Sequence, residues 1–346
     1  EKVERFVGDR GYREIGNLRT MSVEIAYPYR MVVSGAAVRF EAPEEDVIFS
    51  PVNADSVRPI SDKLDGARTV DELREKYPKF GRDIAELLDL AVREKVVFDR
   101  TRLPSTISGT NLLAAVEKHI PSWNERLFNH QLWRGLYQGK FGQTVARGWS
   151  IETYFFIRGA IMRMPSVISA CRVPEIREIF LEHFTEEYDH YAFFATALER
   201  QGVDVGKIER RGPLPSTEAV INFTKYASRI HPLCYSVCSG LLESTGTDAH
   251  KGRDFYRHVA EHYDMARTGW VEPMLKHVDL DESYGHGSVM KEIFEQVPHV
   301  DRQVADEIFQ TAELFVETLI LWFDEIVWFY RNREKDECNL VYRLYA

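Results

Sequence analysis

Basic charge is in short supply in this chain. Its 346 residues carry 44 Lys and Arg against 54 Asp and Glu, a formal net charge of −10. No positive face is therefore available to neutralise a phosphate backbone, and nucleic acid is excluded as an expected partner. Cysteine is scarce as well: Cys171, Cys234, Cys238 and Cys338 form no CxxC pair, and Cys234 and Cys238 stand one helical turn apart. That pattern fits reduced core thiols better than a disulfide framework. Long apolar runs are missing. The strongest stretch, Leu314 to Tyr330, is interrupted by Glu317, Asp324 and Glu325, so no membrane span is expected. No secretory signal opens the chain, and the cytoplasm is the expected compartment. The sequence also has no internal repeat, low-complexity tract, phosphate-cradling glycine loop or nucleophile elbow.

What is present is ordinary in bulk and divided in texture. An apolar share of 44% with 28% charged residues suits a soluble globular protein, and the length allows one large domain or two. Between about residues 20 and 55 the pattern is strand-like: Tyr29 to Phe40 alternates loosely, and Asp46 to Val52 follows a charged turn. Three short helical patterns come next, at Asp55 to Leu64, from Thr69 with Glu72 completing a capping box, and at Arg82 to Lys95. VVFDR reads as a short closing strand. This order of elements predicts a small α+β winged-helix domain over 20–102. Pro104, Ser105, Ser108 and Gly109 supply the linker.

After residue 110 strands disappear. Helices are predicted at roughly 110–138, 143–163, 174–201, 216–230, 232–246, 249–276, 286–296 and 301–332, separated by Gly- or Pro-bearing turns. A mainly α domain over 110–335 follows. Its aromatic extreme, LWFDEIVWFY at 321–330, reads as core.

The chemistry-bearing segment is EHFTEEYDH, from Glu182 to His190, within the predicted helix Pro174 to Gln201. Glu187 and His190 are three apart and His183 lies one turn earlier, so the three side chains project from one face. Such a pair also describes an ordinary solvated face. The interleaved Tyr188, Tyr191, Phe193, Phe194 and Leu198 argue that this turn meets a core. Glu243 stands in an apolar stretch, LCYSVCSGLLES, where a buried carboxylate needs a partner such as a metal. Arg158 and Arg163 are candidates to pair with a substrate carboxylate.

Two resemblances join these observations. SDKLDGARTVDELREKYPKFGRDIAELLDLAVREKVVF resembles the pyrroloquinoline quinone biosynthesis D protein, a RiPP recognition element. The resemblance implies a module that takes a precursor peptide as an added strand at the sheet edge in 29–40, beside the helix at 82–95. GWSIETYFFIRGAIMRMPSVISAC, EIFLEHFTEEYDHYAFFATALERQGV and SGLLESTG, in that order, resemble the heme-oxygenase-like helical superfamily. Within it they are similar to the pyrroloquinoline quinone biosynthesis C protein and the non-heme di-iron oxidases.

The di-iron resemblance implies a ligand set of Glu152, Glu187, His190, Glu243, His277 and Asp281. Where those oxidases resemble H-x-x-x-D-x-x-H, this chain has His277, Asp281 and then Tyr284, with His286 two positions on. His286 is thus a further candidate, and His183, Tyr284 and Arg158 would support the site or the substrate. The implied protein is a homodimeric, O2-dependent oxidase or oxygenase that holds two irons per chain and no heme, and modifies a leader-bound ribosomal peptide or a related amino-acid substrate. Glu187, His190 and Glu243 would carry the chemistry. A cofactor-free oxidase and a non-catalytic peptide-binding scaffold are the alternatives.

Overall fold

Buried positions alternate along the strands at 37–41 and 46–50 and follow a helical spacing over most of the chain after residue 108, and the architecture changes with them. A computed structural model describes residues 2–6, 18–26, 29–42, 46–77, 79–100, 105–243, 249–284 and 288–331. The chain divides into two units, Glu1–Pro104 and Ser105–Ala346.

The first unit contains β1 (Lys2–Phe6), β2 (Ser22–Ile25), β3 (Arg30–Ser34), β4 (Ala37–Glu41) and β5 (Asp46–Ser50), followed by α1 (Ala54–Val57), β6 (Asp65–Thr69), α2 (Val70–Lys76), α3 (Arg82–Arg93) and β7 (Val97–Asp99). One sheet runs β1-β5-β4-β3 and a second β6-β2-β7. The expected single strand over 29–40 is a hairpin instead. Ser34 pairs with Ala37 across Gly35 and Ala36, and Gly35 takes φ +58°, a left-handed conformation that glycine adopts without a Cβ penalty. Strand β1 pairs in parallel with β5, so pairing begins well before residue 20 and covers one edge of the first sheet. Thr69 and Glu72 form the capping box that opens α2. Val38, Phe40, Val47 and Phe49 alternate inward and join Leu73, Ile84, Leu87 and Leu88 in this unit's core.

The second unit opens with β8 (Thr106–Ile107), then α4 (Gly109–Phe128), α5 (Gln131–Tyr137), α6 (Gln143–Arg158), α7 (Ala160–Ala170), α8 (Pro174–Glu187), α9 (Tyr191–Arg200) and α10 (Val205–Arg211). It continues through α11 (Pro215–Ile230), α12 (Pro232–Glu243), α13 (Ala249–His262), α14 (Val271–Tyr284), α15 (Val289–Glu295), β9 (Val300–Asp301) and α16 (Arg302–Arg331). Strands do not vanish completely, since β9 pairs with β8. The predicted long helices are subdivided by local chemistry. His130 caps α5 by accepting from the Leu132 amide, Gly159 separates α6 from α7, and residues 188–190 form a turn between α8 and α9.

Helix α16 packs against α4, α6, α11 and α12. Phe315, Leu319, Trp322, Phe323 and Ile326 are buried along it, whereas Leu321 and Trp328 of the expected aromatic core are exposed. No helix among the described residues is long and apolar enough to cross a membrane.

Candidate metal centre

The interruption between α8 and α9 shapes the site. Residues 188–190 leave the α-helical ladder, and the amide of His190 reaches back only to the Glu187 carbonyl, at 3.4 Å. Phe193 likewise donates to the His190 carbonyl at 3.1 Å, so the turn is held by the tight i, i+3 bonds of a helix under adjustment. His190 is completely buried at this point, and His183, seven residues earlier, is 3% exposed.

Two other helices bring partners. His190 Nδ1 stands 3.1 Å from Glu187 Oε1 and 3.4 Å from Asp281 Oδ1 on α14. The second oxygen of Asp281 lies 3.1 Å from His277 Nδ1, one turn earlier on the same helix. Asp281 therefore bridges two imidazoles. One ligand atom from each of His190, His277 and Asp281 falls within 4.8 Å of the others, a spacing that can hold a metal ion. From α12, Glu243 Oε1 accepts from the Ser239 hydroxyl at 2.8 Å and lies 3.3 Å from His183 Nε2. The imidazole rings are fixed by aromatic neighbours: His277 lies edge-on to Phe194 at 5.0 Å, and Tyr284 stacks on His190 at 6.3 Å and 16°.

Electrostatics record how crowded these groups are. Burial, then the charge of Glu187, push the Asp281 carboxyl up to about 7, with Glu243 acting in the same sense against the opposing pull of His190. Burial disfavours the charged form of His190, but its bond to Glu187 and the charges of Glu187, Asp281 and Asp189 outweigh this and raise its pKa. For His183, burial prevails and lowers the pKa. Carboxylates gathered away from water repel one another, and a cation is the simplest group that relieves all of them.

Glu187, Glu243, His277 and Asp281 line a cavity of about 570 Å³. Most of its remaining wall is apolar, with Trp133, Phe156, Phe194, Leu319, Trp322 and Phe323 among the lining residues. Its size falls within the range of small-molecule sites, roughly 300–1,000 Å³.

The structure thus gathers Glu187, His190, Glu243, His277 and Asp281, adds His183 and Tyr284, and places two expected residues elsewhere. Glu152 is fully buried, but it already accepts four hydrogen bonds. They come from Arg211 at 2.6 Å, Tyr330 at 2.6 Å, the Leu214 amide at 2.9 Å and Thr217 at 2.6 Å. Both its oxygens are saturated, so Glu152 ties α6 to α10, α11 and α16 rather than to the cavity. Arg158 forms an ion pair with Glu209 at 3.1 Å and does not line the cavity. His286 lies outside the described residues. His258 stacks on Tyr137 at 4.4 Å, away from the cavity lining. Sequence reasoning missed Ser239, whose only signal is its place one turn before Glu243, and Tyr256, a cavity-lining residue on α13 whose hydroxyl pKa is raised by burial and the charge of Asp281.

Only part of this arrangement, His183, Glu187, His190 and Glu243, lies within the stretch that matches a known family, and His277 and Asp281 lie beyond it. Residues 117–268 match the TENA/THI-4/PQQC family, which is less than half of the chain. A domain of unknown function with a heme oxygenase-like fold from Shewanella denitrificans aligns at a TM-score of 0.51 and 17% identity, over 63% of this chain and 93% of that one. The helical unit has a heme-oxygenase-like fold. A TenA homolog from Pseudomonas syringae pv. tomato aligns at TM-score 0.48 and 12% identity, over 63% of this chain and 93% of that one. A TenA homologue from P. horikoshii aligns at TM-score 0.43 and 13% identity, over 64% and 98%. No curated protein matches.

Proposed function

We propose that the heme-oxygenase-like unit is an O2-dependent oxidase or oxygenase that uses a non-heme di-iron centre. The observation that carries this reading is the convergence of six candidate ligand side chains from three helices, α8, α12 and α14, and from the turn that follows α8, with four of those side chains lining an apolar-walled cavity. His190, His277 and Asp281 form one donor group. His183 and Glu243 are in contact and, with Glu187, are proposed as the second. Among the described residues the donor set is imidazole and carboxylate with no thiolate, since Cys171, Cys234 and Cys238 are buried outside the cavity lining. That mixture suits iron better than a structural zinc site.

Bound iron would supply O2 activation. The chain's own part is to hold electron-rich carboxylates, to keep water from the reacting position with Phe194, Trp322 and Phe323, and to fix imidazole orientation through Tyr284 and Phe194.

The first unit is proposed to deliver the substrate as a precursor peptide. With β1 on one side of the sheet, β3 forms its other edge, and Arg30–Ser34 supplies the backbone groups for an added strand. A tethered target would then experience an effective concentration on the order of millimolar.

The test is oxygen consumption by full-length protein reconstituted with Fe(II) under a reducing co-substrate, beside His190→Ala and Glu243→Ala. Iron-dependent uptake that both substitutions reduce by at least about a hundredfold supports the reading. Oxygen chemistry that persists in the presence of chelators and in both variants would place the protein with oxidases that need no cofactor.

A further inference from the structure

Arg163 does not belong to the metal centre, yet it is a built part of the same cavity. It lies on α7, is 7% exposed and lines the cavity with Glu187 and Glu243. Its Nη1 donates to the Phe156 carbonyl at 2.8 Å, and the guanidinium rests 4.7 Å from the centre of the Phe156 ring. Phe156 packs on Trp322 at 5.1 Å, so the guanidinium is clamped from below by carbonyl and ring. Among the described residues no carboxylate lies within ion-pair distance of it. A buried guanidinium is costly unless its charge is matched, and its planar fork offers donors for two parallel bonds to a carboxylate.

We infer that Arg163 is the specificity residue of the cavity and that it binds a substrate carboxylate, with the body of the substrate lying along the apolar wall of Trp133, Phe194, Trp322 and Phe323. This rests on the cavity being a substrate site, as proposed above, and names the substrate class. A carboxylate is favoured over a phosphate by charge count, because among the described residues Arg163 is the only arginine or lysine in the lining. A dianion in an apolar site would need further donors. The carboxylate has two sources, a free organic acid or the C-terminal residue of a peptide. An internal peptide residue without an acidic side chain offers none.

The test uses metal-free full-length protein with chelator present, so that an acid cannot bind to iron instead. Isothermal titration calorimetry compares 3-phenylpropanoate with 3-phenylpropanamide, and a tripeptide ending in free phenylalanine with its C-terminal amide. The expected result is a preference of about tenfold or more for the acid in at least one pair. The first pair reports a free acid and the second a peptide C-terminus. Arg163→Gln should abolish that preference, and Arg163→Lys should retain part of it as a point charge without the fork.

Equal binding of acid and amide in both pairs, or no binding of either acid, overturns the inference. So does a preference that survives in a folded Arg163→Gln protein. If Arg163→Gln does not fold, the wild-type comparison and Arg163→Lys decide. Iron uptake by Arg163→Gln is expected to match wild type. Failure of the metal reading would instead appear as absent uptake in wild type, whatever the acid preference.

Discussion

Asp281 joins the centre's chemistry to a measurable property. A carboxyl that keeps its proton up to about pH 7 in the folded chain, but loses it in the ordinary carboxylate range when unfolded, favours the fold in acid. That contribution fades as pH rises towards the folded value. His190, whose pKa is raised, acts with the same sign. His119 and His231, lowered first of all by burial, act oppositely and lose stability as pH falls. The comparison that isolates Asp281 is therefore the metal-free protein against Asp281→Asn. The wild-type melting temperature should fall more steeply than the variant's between about pH 4 and pH 7. Metal reverses the trend, because it must displace these protons, so apparent iron affinity should rise over the same range. An iron affinity independent of pH would contradict the protonation states assigned here.

Glu152 gives the opposite lesson at the same scale. Its helix and its burial could be read from the sequence, but its partners could not. Arg211, Leu214, Thr217 and Tyr330 are 59 to 178 positions away along the chain. Breaking a buried, fully bonded carboxylate typically costs about 3–5 kcal/mol. Glu152→Gln should therefore lower the unfolding free energy by that order in urea denaturation while leaving iron stoichiometry intact. Loss of iron with unchanged stability would restore Glu152 to the ligand set.

Among the elements, α6 and α16 depend on a close approach that one glycine permits. A Cβ built on Gly148 would fall 2.2 Å from the Tyr330 ring, and Tyr330 is the residue that bonds Glu152. Gly148→Ala should destabilise the protein by about 1–3 kcal/mol through overpacking, read as a lower urea midpoint at an unchanged slope. An unchanged midpoint would mean that the two helices can separate without cost. Helical period, caps and Gly or Pro turns made most helices legible, and Thr69 with Glu72 marked its helix start. The breaks were not legible. Nothing in FTEEYDHYAFF signals that the chain leaves the α-helix at residues 188–190, because no Gly or Pro stands there. The turn at Gly35 was hidden in an apolar run of strand formers. The spacing of Glu187 and His190 predicted a shared face, and the tight turn still lets their side chains meet at 3.1 Å.

At the scale of the whole molecule, the chain carries two hydrophobic cores with no residue in common, one within 18–97 and one within 112–330. Each unit has what it needs to fold by itself. Residues 105–346 expressed alone should melt cooperatively and take up iron as the full chain does, while peptide binding should stay with residues 1–104. A helical fragment that folds but takes up no iron would show that the centre needs the first unit. The division into a β-rich and a helical part was legible because the period of apolar residues changes. The role of Asp281 as a bridge between His190 and His277 was not, since it depends on how α14 meets the turn before α9.

The central claim is that this helical cavity holds iron through His190, His277, Asp281 and their neighbours. Its most direct test is an anaerobic Fe(II) titration of the full-length protein, with bound metal counted by elemental analysis after desalting and His190→Ala run in parallel. The account predicts about two irons per chain in the wild type and a stoichiometry reduced by at least half in the variant. No uptake by the wild type, or equal uptake by both proteins, would contradict it.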